Sequence, residues 1–113
     1  MSEPTYREAI EQGREILRRF EAHQPRTWGA EGAFIELTKQ VGDLAKHVMV
    51  TEGYYGEREN KERYASSISH IEDELVDVFT AVIRLADHYE IDLVEATRRV
   101  RSAEDEFLKR HGR

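Results

Sequence analysis

From about Gly29 to beyond Val48, apolar side chains return every third or fourth position, as Phe34, Leu37, Val41, Leu44, Ala45 and Val48. That recurrence matches the 3.6-residue turn of an α-helix, whereas a half-buried strand would alternate with a period of two. No stretch of the chain carries a regular β alternation, and the only prolines are Pro4 and Pro25, so the sequence predicts an all-α domain of four helices.

The first helix is predicted to begin near Thr5, where Thr5 and Glu8 stand at capping-box spacing. Tyr6, Ile10, Gly13, Leu17 and Phe20 then share one face, and the helix should stop near His23, ahead of Pro25. After the second helix comes GYYGERENKERYASS, whose two glycines, three tyrosines and many charges predict a mobile connection or a short irregular helix. The third helix is predicted from around Ser67, with Ile71, Leu75, Val78, Val82, Leu85 and Tyr89 turned inward. Asp92 and Glu95 open the fourth as another capping-box pair, its buried line being Leu93, Ala96, Val100, Ala103 and Phe107, with fraying at the terminal KRHGR.

A chain of 113 residues, 35% charged and 39% hydrophobic, reads as one soluble domain spanning 1–113 around one core. Without cysteine it has no disulfide scaffold, thiolate zinc site or cysteine nucleophile, which suits a reducing, cytoplasmic setting. MSEPTYREAI lacks a basic start followed by an apolar run, and no segment reaches bilayer-spanning length, so neither export nor a membrane role is expected. A formal charge of -6 opposes a groove tracking the phosphates of DNA or RNA, and nucleic acid is not an expected partner.

Acidic residues border the apolar stripes of the two central helices: Glu36, Gln40 and Asp43 on one, Glu74 and Asp77 on the other. Packed antiparallel, these edges would face each other across a shallow trough. Carboxylate oxygens one turn apart suit a hard divalent cation such as Mg2+, which keeps coordination positions open for substrate phosphates. Like charges clustered at a core margin also repel, so a cation or partner would relieve them. With 23 acidic residues among 113, however, such spacings also arise on plain solvated faces.

The segments GAFIELTKQVGDLAKHV and IEDELVDVFTAVIRLADHYEIDLVEA resemble the motif-bearing helices of the MazG-like nucleotide pyrophosphohydrolases, over roughly residues 30–100. The resemblance implies a MazG-like four-helix bundle completed by oligomerisation into a homodimer or homotetramer. It also implies Mg2+, or Mn2+, held by an E-x-x-E pair on one helix and an E-x-x-D pair on the next. The implied reaction cleaves a nucleoside triphosphate between the α and β phosphates, giving the monophosphate and pyrophosphate. Glu74 and Asp77 supply the second pair, whereas the first departs, with Gln40 and Asp43 at the glutamate positions and Lys39 where another acid often stands.

An amide oxygen is a weaker ligand for a hard cation than a carboxylate, so Glu36, one turn before Gln40, is the candidate to complete a set of Glu36, Asp43, Glu74 and Asp77. Glu36 or Asp43 would accept the proton of the attacking water. Lys39, Lys46 and Arg84 are candidate phosphate contacts, His47 continues the acidic edge, and Trp28, Tyr54 and Tyr55 are candidate stacking partners for a base. The alternative is a nucleotide-binding or regulatory module of the same fold whose hydrolysis has weakened, for which Gln40 and Lys39 are the support.

Overall fold

The structure, a computed structural model, describes residues 2–54 and 61–113, the side chains of 61–66 excepted. The described residues form four helices and no strand: α1 (Tyr6–Glu21), α2 (Ala30–Thr51), α3 (Lys61–His88) and α4 (Leu93–Arg110). The fold is all-α, and no helix among the described residues is long and apolar enough to cross a membrane.

The start of α1 follows its sequence signal. The Thr5 hydroxyl accepts from the Glu8 amide at 3.1 Å while the Glu8 carboxylate accepts from the Thr5 amide at 3.1 Å, satisfying two N–H groups that lack helical partners. At α4, Asp92 accepts from the amides of Val94 and Glu95 at 3.0 and 3.2 Å. Between α3 and α4, Glu90 takes a left-handed φ of 54°, and the Ile91 amide closes back on the Ala86 carbonyl at 2.9 Å.

Two boundaries differ from the sequence expectation. Helix α3 starts at Lys61 rather than Ser67, so the lysine, glutamate and arginine at 61–63 are helical, consistent with their high intrinsic helix propensity. Helix α4 takes in Lys109 and Arg110 of the terminal basic run, and only residues 111–113 leave it.

The closed core is small. Ile10 and Leu17 of α1 meet Ile83 of α3, which is 0% exposed, and Phe79, Leu93 and Val94 pack around them. Gly13 permits this approach, since a Cβ there would stand 2.8 Å from Ile83 Cδ1. A bidentate ion pair fastens the same two helices: Arg14 Nε and Nη2 donate to Asp87 at 2.7 and 2.8 Å. Asp87 and then Glu11 hold the Arg14 guanidinium more firmly protonated than an ordinary arginine.

Helix α2 packs chiefly on α3, but through a different face from the one its apolar stripe suggests. Ala33, Glu36, Gln40, His47 and Thr51 are buried or half-buried, and of the stripe itself Leu37 and Leu44 are half-buried, whereas Phe34, Val41, Ala45 and Val48 are exposed, Phe34 by 58%. The inward lines expected for the other helices are likewise covered only in part. Tyr6, Phe20, Leu75 and Tyr89 are exposed, and so is every residue of α4 from Val100 onward. A single chain of thin helices has too few neighbours to cover every apolar stripe.

Candidate functional site

A cavity of about 480 Å³ opens where the end of α1 and the α1–α2 connection meet α2 and α3, within the size range of small-molecule sites. Phe20, Pro25 and Trp28 supply apolar wall. Glu36 and Gln40 enter from α2, and Asp77, Thr80 and Arg84 from α3.

Arg84 is the unusual member. Its guanidinium carbon lies 4.4 Å above the Trp28 ring centroid, a cation–π contact, and its Nε and Nη1 are shut from solvent without a hydrogen-bond partner. A cation removed from water without a paired anion is costly, so this end of the cavity favours an anionic or acceptor-rich occupant. Trp28 is in turn seated against α2 at Gly32, where an added Cβ would come within 3.1 Å of the Trp28 Cβ and 3.2 Å of its ring at Cγ. The indole that is a candidate stacking partner for a base lines this cavity and carries Arg84 on its ring.

Glu36 and Gln40 are joined across one helical turn, Gln40 Nε2 donating to Glu36 Oε1 at 2.8 Å. The bond turns the Gln40 amide so that its nitrogen faces Glu36, and its oxygen is the one atom of that amide able to ligate a cation. Asp77 faces the same cavity from α3, so three of the five expected metal residues share it.

The other two are engaged elsewhere. Asp43, half-buried, pairs with the exposed Lys39 at 3.5 Å. Glu74 is nearly covered, its Oε1 4.0 Å from His47 Nε2 and its Oε2 buried without a partner. His47 itself stacks on His70 with centroids 5.0 Å apart. Tyr54, at the end of α2, is 75% exposed, and Tyr55 lies outside the described residues.

These contacts set an antiparallel register: His47 meets Glu74 and His70, Gln40 and Asp77 share the cavity, and Trp28 meets Arg84. By that register Asp43 stands level with the Glu74–Asp77 turn. The oxygen-rich donor set suits a hard cation, and the orphaned Glu74 Oε2 is an acceptor that a cation would satisfy. Yet as placed, no three His, Asp or Glu side chains among the described residues stand close enough to hold a metal ion. The set is aligned in level and chemistry without being gathered into a cage.

Sequence reasoning missed His23, Gln24 and Thr80 in the cavity wall, and His70 beside His47. His23 and Gln24 follow α1 in a segment without periodicity, so nothing in the pattern aimed them at α3. The His47–His70 and Trp28–Arg84 pairings follow from the α2–α3 register, which the stripe alone did not specify. Searches against protein-family models, characterised proteins and solved structures find nothing that matches this chain.

Proposed function

We propose that the chain is a Mg2+-dependent nucleoside triphosphate pyrophosphohydrolase of MazG-like type, working as a homo-oligomer. The observation that carries this reading is the cavity itself, whose wall holds an unpaired, partly desolvated Arg84 together with Glu36, Gln40 and Asp77. Asp77 and Arg84 are seven residues apart on α3, about 10 Å along a helix, a span suited to a ligand with phosphates at one end.

Glu36, Asp43, Glu74 and Asp77, with the Gln40 oxygen, are the residues that would hold Mg2+ or Mn2+. When bound, such an ion neutralises triphosphate charge and makes a coordinated water more acidic. Water attacks the α-phosphorus, the bond to the α–β bridging oxygen breaks, and pyrophosphate leaves with that oxygen. The water's proton passes to a carboxylate. Of the two candidates, Glu36 lines the cavity, whereas Asp43 is paired with Lys39. Arg84 contributes fixed positive charge toward the ligand, and Trp28 holds it there.

A second reading has its own support: Gln40 replaces a carboxylate, and the acidic set is not gathered. Both fit a chain that binds nucleotides and turns them over poorly or not at all. Pyrophosphate release from a panel of ribo- and deoxynucleoside triphosphates with Mg2+ separates the readings. The hydrolase reading expects release from at least one substrate, abolished in Asp77→Ala. Binding without release favours the second reading, and neither binding nor release overturns both.

A further inference from the structure

Two apolar surfaces have no cover among the described residues. One is the outer stripe of α4, where Val100, Phe107 and Leu108 are each more than 40% exposed and Ala103 lies among them. The other is a groove of about 240 Å³ floored by Leu37, Val82 and Leu85 and rimmed by Tyr89 and Ile91.

The amount of uncovered surface is large. A compact monomer of 13.2 kDa exposes about 6400 Å² and one of this length has a radius of gyration of about 13 Å, whereas this chain exposes 9100 Å² with a radius of 17.8 Å. The surplus of about 2700 Å² is what a subunit of a large obligate dimer covers. Scattered apolar residues are ordinary on a surface, but a helical stripe and a helix-facing groove on one chain are not scattered.

We infer that α4 of one copy seats its Val100–Phe107 stripe in the Leu37–Leu85–Tyr89 groove of a second copy, and reciprocally. This names the surfaces of the assembly proposed above and rests on that part of it. A second copy is the occupant because each chain carries both halves of the contact: one two-fold axis covers two stripes and two grooves at once, whereas an unrelated helix would cover only one of them. The base of α4 is fixed for such a role. Asp92 caps it and receives Arg7 Nη2 at 3.3 Å, Tyr6 and Thr97 hydroxyls meet at 3.3 Å, and Leu93 and Val94 join the core. The distal half is therefore held out from the bundle in a set direction.

Light scattering on the full chain tests this, with Phe107→Asp disabling the arm and Tyr89→Asp disabling the groove. Both side chains are more than half exposed in the single chain, so helical circular dichroism should be retained. Wild type is expected at a multiple of 13.2 kDa. Each variant should fall to at most half that mass, and an equimolar mixture should recover a dimer holding one intact arm–groove contact. A monomeric wild type overturns both the oligomer reading and the inference. An oligomeric wild type whose mass either aspartate leaves unchanged, or a mixture that fails to recover, overturns the arm–groove pairing alone.

Discussion

Arg84 rests on the indole of Trp28 at 4.4 Å with two of its nitrogens sealed from water and unpaired. A charge in that condition is a liability to folding unless a ligand meets it, because breaking its hydration is not offset by an ion pair. Arg84→Met keeps much of the aliphatic stem and removes the charge. The substitution is therefore expected to leave the melting temperature of the ligand-free protein unchanged or to raise it, as scanning calorimetry would read. A fall of several degrees would mean that the arginine is structural.

Gly13 and Ile83 form a second testable pair. Gly13→Ala gains about 1 kcal/mol of helix propensity but thrusts a Cβ to 2.8 Å from Ile83 Cδ1 in the centre of the core, where overpacking costs about 1–3 kcal/mol. Denaturant unfolding should show the single variant to be destabilised. Ile83→Val removes that δ-methyl, so in its background Gly13→Ala should become stabilising. Additive effects would contradict the packing described here.

Much of the helical frame could be read from the sequence, because caps and periodicity are local properties. Thr5–Glu8 forms the full capping box its spacing predicts, whereas at α4 only the Asp92 half forms and the Glu95 carboxylate accepts from Arg98 instead. Which face of each helix is covered was less legible. Periodicity identifies the apolar stripe Phe34, Leu37, Val41, Leu44, Ala45 and Val48, of which only Leu37 and Leu44 are half-covered, while Ala33, Gln40, His47 and Thr51 beside it are buried or half-buried, because covering a whole stripe requires more neighbours than one chain supplies. Ile83, the most buried side chain, lay off the expected Ile71–Tyr89 line and is enclosed by α1, a contact between distant segments that no local pattern announces. In the candidate site, the acidic edges were legible, whereas the Arg84–Trp28 contact joins residues far apart in the chain.

Glu90 is a non-glycine residue in left-handed backbone at the end of α3. A side chain in that region costs about 1–2 kcal/mol that glycine avoids. Glu90→Gly should raise the midpoint of chemical denaturation without changing its slope. A lower midpoint would show that the Glu90 side chain contributes more than its backbone strain costs.

Asp92 gives a pH dependence of known sign. The Glu95 amide, and after it the charge of Arg7, hold its carboxyl below the ordinary value, so the folded chain takes up this proton less readily than the unfolded one. Its stabilisation is present in full above the unfolded carboxylate range, about pH 4, and is lost as pH falls through the lowered folded value. Asp92→Asn retains a cap acceptor that does not titrate. Below pH 4 wild type should lose stability more steeply than this variant, the remaining slope including the Glu8 cap, whose pKa is lowered by Thr5. Parallel curves would remove Asp92 from the account.

The most direct test of the central claim is calorimetric titration of a non-hydrolysable nucleoside triphosphate analogue with Mg2+ into wild type and Arg84→Met. Saturable binding to wild type is expected, weakened about tenfold to a hundredfold in the variant, the equivalent of losing one charge-assisted contact. Equal affinity in both proteins, or no binding of any analogue to wild type, would contradict the assignment of this cavity to a nucleotide.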